Sequence, residues 1–116
     1  MEFTNDTKEA AALAVTARGN WISLHTADPG VTGASEATGG TPAYARKQTA
    51  WAGGASDGVV AGSAVSFDVP AGTYTHIGVW SASTAGTFVG GFALSSSTGA
   101  LPGQASVAVT PTITVN

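Results

Sequence analysis

Past Gly19 the apolar residues recur at every second position, and glycine and proline break the pattern before any run grows long. A period of two places successive side chains on opposite faces of an extended strand. In the first such run Trp21, Ser23 and His25 share one face and Ile22, Leu24 and Thr26 the other. Ser63–Val69 alternates cleanly, with Val65, Phe67 and Val69 facing in and Ser66 and Asp68 facing out. Thr73–Ala82 has Thr75, Ile77 and Val79 on one side and Tyr74, His76, Gly78 and Trp80 on the other. Both sides are largely apolar or aromatic, which marks a central strand covered on both faces. Ala43–Trp51, Val59–Ala61, Phe88–Leu94, Ala105–Val109 and Thr112–Val115 complete a set of seven or eight short strands. Gly53-Gly54, Asp57-Gly58, Pro70-Ala71-Gly72 and Ala85-Gly86 are turn signals between them, and Pro111 implies an edge or a bulge. Short strands at regular spacing predict an all-β fold, an antiparallel β-sandwich or jelly roll.

One helix precedes the strands, over residues 5–18. Asp6 and Glu9 have capping-box spacing, with Asp in the place of Ser or Thr, and Glu9–Ala14 is rich in strong helix formers. Arg18 suits the negative end of the helix dipole and Gly19 a left-handed cap. Leu13 and Val15 are the largest residues on an otherwise alanine-lined face, which fits close docking on a sheet or a neighbouring subunit. The chain thus divides into an N-terminal helical segment, 1–19, and a single β-sandwich domain, 20–116.

Charged residues make up 9% of the 116 residues, against about 25% in ordinary soluble domains. Two readings follow: a surface covered by other subunits, or a neutral Ser/Thr exterior. The net charge is −3 and the cations are Lys8, Arg18, Arg46 and Lys47. No basic stripe exists for a phosphate backbone, so nucleic acid is not an expected partner. The absence of Cys excludes disulfides, Cys-zinc sites and thiol nucleophiles, which leaves stability to the core or to oligomerisation. The first residues lack the basic start and apolar run of a signal peptide, and Ala10–Ala17 is too short to span a bilayer. Synthesis in a cytoplasm, without membrane association, is the expectation; Asn5-Asp6-Thr7 matches a glycosylation sequon that such a setting leaves unused.

Candidate chemistry is sparse. Gly54-Ala55-Ser56-Asp57-Gly58 matches the nucleophile-elbow pattern, but it lies between two strands with no helix after it and reads as a hairpin loop. His25 and His76 are the only histidines, and no local spacing gathers Asp28, Glu36 and Asp68 around them into a metal site; each ring is expected to be structural, His25 bonding carbonyls beside a turn. As paired carboxylates for glycoside hydrolysis, Asp28 and Glu36 sit in one long loop, 27–42, without a sugar platform. Asp28 is better suited to bonding turn amides ahead of Pro29-Gly30, and Glu36 to pairing with Arg46 or Lys47, within the subunit or across an interface. Trp21, Trp51, Trp80, Tyr44 and Tyr74 suit a carbohydrate platform or, more readily, core and inter-subunit packing. No cofactor, metal or catalytic constellation is expected.

Ser23-Leu24-His25-Thr26-Ala27-Asp28-Pro29-Gly30, then Glu36, Tyr44-Ala45-Arg46, Val65–Phe67, His76-Ile77-Gly78-Val79-Trp80 and the glycine-rich Phe88–Leu94 resemble a family of small bacteriophage virion proteins, described variously as tail fibre, minor tail or capsid decoration proteins. The resemblance implies a non-enzymatic virion component made in the bacterial host cytoplasm. Among the family's roles, a short chain, one domain with no shaft and an N-terminal segment able to dock on a shell favour capsid decoration, with the chain oligomerising as a trimer and cementing the major capsid protein. The second reading is a tail fibre or minor tail protein engaged in adhesion with other tail proteins. A carbohydrate-binding module is the alternative from another class. On the decoration reading the helix (Leu13, Val15) and the 27–42 loop with its flank (Asp28, Glu36, Tyr44, Arg46, Lys47) are the interface candidates.

Overall fold

A computed structural model describes residues 1–116. One helix, α1 (Asn5–Thr16), precedes nine strands: β1 (Trp21–His25), β2 (Lys47–Gln48), β3 (Trp51–Ala52), β4 (Val59–Gly62), β5 (Val65–Val69), β6 (His76–Trp80), β7 (Phe88–Ala93), β8 (Ala105–Val109) and β9 (Thr112–Thr114). All pairings are antiparallel. They form three sheets, ordered β2-β1-β6-β7, β3-β4-β9 and β5-β8. The expected all-β class with one short N-terminal helix is what the chain adopts.

The alternation in the sequence sets the core. Val65, Phe67 and Val69 of β5 are buried while Ser66 is exposed. They meet Ile22, Leu24, Ile77 and Val79 from one face of the four-stranded sheet, joined by Ala37, Tyr74 and Val109. Each of the Val, Leu, Ile and Phe side chains among them contributes about 1.5–3 kcal/mol on full burial. As expected, β6 is central, between β1 and β7, with four of its five residues buried. The opposite face of that sheet is covered by the chain's own loop. A side-chain carbon at Gly33 would lie 2.5 Å from the Trp80 ring, and one at Gly91 would lie 2.6 Å from Pro29, so the loop rests directly on the sheet. The 27–42 loop is therefore largely a cover for its own domain, although its tip projects and Val31 is 92% exposed.

Three local expectations need correction. Ala43–Trp51 is not one strand: β2 and β3 are two-residue strands in different sheets, and 43–46 lies outside any strand because Tyr44 and Arg46 are drawn into a polar cluster. The helix is capped by Thr4, whose hydroxyl accepts from the Thr7 amide at 3.2 Å, and not by an Asp6–Glu9 box. Glu9 is buried and turned away, accepting from the amides of Gly58 (3.1 Å) and Gly54 (3.4 Å) in the β3–β4 loop. At the other end, the C-cap is Ala17 in right-handed geometry. Gly19 serves close approach instead: a side-chain carbon there would come within 2.3 Å of the Trp80 carbonyl. The helix docks through Glu9 and Ala12, leaving Leu13 45% exposed and Val15 half-buried.

Candidate functional site

The residues that stand out in the sequence converge under the loop. On the covered face of β1, Ser23 and His25 are fully buried. The His25 Nδ1 lies 2.7 Å from the Ala34 carbonyl, which can only accept, so Nδ1 carries the proton. Nε2 then accepts from the Ser23 hydroxyl at 2.6 Å, and Ser23 Oγ accepts from Trp80 Nε1 at 2.9 Å. The bonds run in one direction, from indole to hydroxyl to imidazole to backbone, and they hold His25 in its neutral form. Burial lowers the pKa of His25, more than the Ala34 carbonyl bond and the Glu36 charge raise it. Gly78 makes room for the arrangement, since a side-chain carbon there would sit 2.6 Å from Ser23 Oγ and 2.8 Å from His25 Nε2.

A second layer locks the loop's far end. Glu36 forms a bridge pair with His25 on the backbone. Its carboxylate takes two parallel bonds from Arg46, Nε to Oε2 at 2.9 Å and Nη2 to Oε1 at 3.0 Å, with Arg46 9% and Glu36 20% exposed. Tyr44 donates to Glu36 Oε2 at 2.8 Å and accepts from the Leu24 amide at 3.1 Å. Arg46 Nη1 donates to the carbonyls of Ala82 (3.1 Å) and Ala85 (2.8 Å). Its guanidinium lies 3.7 Å over the Trp80 ring, a cation–π stack. Arg46 thus ties the 27–46 segment to the β6–β7 turn, where Ala85 holds a left-handed φ of 52°. Burial pushes the Glu36 carboxyl up, but the bonds from Arg46 and Tyr44 outweigh it and hold it below the ordinary range. The Tyr44 hydroxyl is pushed far up, first by burial and also by the adjacent Glu36 carboxylate.

The structure thus brings Glu36, Tyr44 and Arg46 together within one chain. Asp28 lies in the turn, where it accepts from the Gly30 amide at 2.9 Å as expected. Lys47 lies on β2, half-buried and outside the Glu36 pair, and Leu13 and Val15 sit apart on the helix. Sequence reading missed Ser23 and Trp80 as partners of His25 and missed Glu9 as the clamp of the β3–β4 loop. Period two placed Ser23 and His25 on one face, but only the β1–β6 pairing brings Trp80 to them.

A Ser–His pair at 2.6 Å has the spacing of a nucleophile and its base. Ser23 is 0% exposed, its hydrogen bonds are taken, and a backbone carbonyl replaces the orienting carboxylate. The pair is packed where no substrate reaches it. Gly54–Gly58 connects β3 to β4, a hairpin loop, with Asp57 accepting from the Val59 amide. No three of the His, Asp and Glu side chains come close enough to hold a metal ion. No helix is long and apolar enough to cross a membrane. Trp80 is buried and bonded, and Trp51 donates its indole N–H to the Gly19 carbonyl at 2.8 Å.

The polar side chains of this small all-β unit are largely spent on holding its own loops. The chain belongs to the family described as Podophage GP4 fiber I protein gp80, which matches residues 4–116. No curated protein matches it. It is thus a bacteriophage structural protein and a component of the virion.

Proposed function

We propose that this chain is a structural unit of a phage tail fibre and acts by packing against copies of itself and neighbouring tail proteins. The observation that carries the reading is the match to a fibre protein family over nearly the whole chain. It draws the reading from capsid decoration, the expectation from the sequence, to the fibre. The geometry agrees with a mechanical part. The Trp80–Ser23–His25 and Glu36–Tyr44–Arg46 clusters fix the long loop on the sheet, so the exterior is a rigid surface that association need not order first. The buried or bonded state of Trp80 and Trp51 favours packing over a sugar platform. Self-association, with a trimer as the expected form, belongs to the same proposal, as do the exposed Leu13 and the half-buried Val15 and Lys47 as contact residues.

The test is to separate heads from tails of disrupted virions on a density gradient and quantify peptides of this chain in each. The fibre reading expects the chain in the tail fraction, at a few copies per particle. Recovery with empty heads in lattice-scale copy number would return the reading to decoration.

A further inference from the structure

The four Lys and Arg and seven Asp and Glu residues of this chain all lie at or before Asp68; from Val69 to Asn116 there is none. That uncharged part contains two open sheet edges. β7 ends the four-stranded sheet, and β8 has β5 as its only partner. Both edges line the same groove of about 560 Å³. Its apolar floor comes from Ile77, Phe92, Leu94, Val107 and Val109, and its rim carries the exposed Ala93 and Ala108. The two sheets of the core are not joined along this side. Open edges present unpaired N–H and C=O groups that template pairing with another chain, and natural proteins blunt them with charge, above all lysine. Here β7, β8 and the groove between them carry none.

We propose that the β7–β8 groove is the surface through which a second copy of this chain associates. Charge decides the occupant. A face without ionisable side chains meets its own copy without like-charge repulsion and without desolvating an ion. The acidic excess that gives the net charge of −3 lies entirely in the other part of the chain, and the carboxylate nearest this surface, Asp68, is on β5, across from Ser106 of β8. A partner recognised by charge would find nothing on this face to recognise. The open edges supply main-chain hydrogen bonds and the apolar floor supplies burial, the combination used in strand addition. The inference rests on reading the chain as an assembling structural unit and names the surface and the partner.

Sedimentation velocity on the purified full chain over a hundredfold concentration range tests it, with Ala93→Lys/Ala108→Lys beside the wild type. Both alanines are exposed, so the double variant retains the monomer's packing, and its urea midpoint verifies this. The wild type is expected to shift to a heavier species with concentration, and the variant to remain a monomer at least tenfold beyond that point. A wild type that stays monomeric throughout overturns the proposal. So does a folded variant that associates as the wild type does. Should the wild type be monomeric yet travel with the tail fraction, the groove proposal fails while the fibre reading stands.

Discussion

Arg46 is the residue on which the loop's position depends, and its removal allows a worked prediction. It makes two bonds to Glu36, two to backbone carbonyls and one stack on Trp80. Breaking a buried pair by removing one partner costs about 3–5 kcal/mol. Ala82 and Ala85 lie in an exposed turn whose carbonyls water can reach, and Glu36 keeps 20% exposure and the Tyr44 bond. These set Arg46→Met near the lower end, at about 3 kcal/mol. That is a large share of the roughly 6–17 kcal/mol expected of 116 residues. Urea unfolding of Arg46→Met, Glu36→Gln and the double variant closes a cycle whose coupling is expected at about 2–3 kcal/mol, the upper range for residues in direct contact. The coupling should change little between low and high salt, since buried pairs are weakly screened. A coupling below about 0.5 kcal/mol, the value of an exposed ion pair, would refute the reasoning.

Stability should fall in acid in two stages. His25 has a folded pKa below its ordinary 6.5, so its contribution is complete above that value. As the pH drops below it the unfolded chain binds a proton that the folded chain refuses, at up to about 1.4 kcal/mol per pH unit. Glu36 is depressed below 4.5, so its contribution is present above that value and is lost as pH falls further, through the folded pKa. Urea midpoints from pH 8 to 2 should show both, and His25→Gln should flatten the upper stage; an unchanged slope between pH 6.5 and 5 in that variant contradicts the assignment. Glu9→Ala strands the Gly58 and Gly54 amides and is expected to cost about 1–3 kcal/mol, with faster hydrogen exchange at Gly58, while Glu9→Gln retains most of the protection. Gly78→Ala forces a carbon against Ser23 and His25 and should destabilise by about 1–3 kcal/mol or more, as overpacking does, read from the same urea curves. Leu13→Asp/Val15→Asp should leave the chain folded, at a cost of about 0.5–3 kcal/mol because Val15 is half-buried, and abolish particle incorporation; normal incorporation removes the helix from the contact surface.

What could be read from the sequence follows the reach of each signal. Val65, Phe67 and Val69 were legible because a half-buried strand writes its burial into every second residue. β6 was legible because two covered faces leave no polar side. Asp28 was legible because its bond closes within two residues of chain. Tyr44 and Arg46 also alternate, but their spacing reflects two side chains turning into one polar cluster and mimics a strand. Glu9 sat at capping-box spacing, yet its partner amide lies 49 residues away, beyond any local rule. The pairing of Glu36 with Arg46 was within reach because opposite charges are so few here, whereas the Trp80–Ser23–His25 chain required knowing that β1 and β6 are neighbours. The uncharged run from Val69 onward was written plainly in the sequence; its meaning came only from the sheet order, which puts two open edges inside it.

The central claim, that this chain is a structural part of the tail fibre, is tested most directly by cryo-electron microscopy of intact virions with tail and capsid reconstructed separately. A density of 45 × 26 × 23 Å, the dimensions of this fold, is expected in the fibre, with neighbouring copies meeting along β7 and β8. The same density repeated over the capsid lattice and missing from the tail would contradict it.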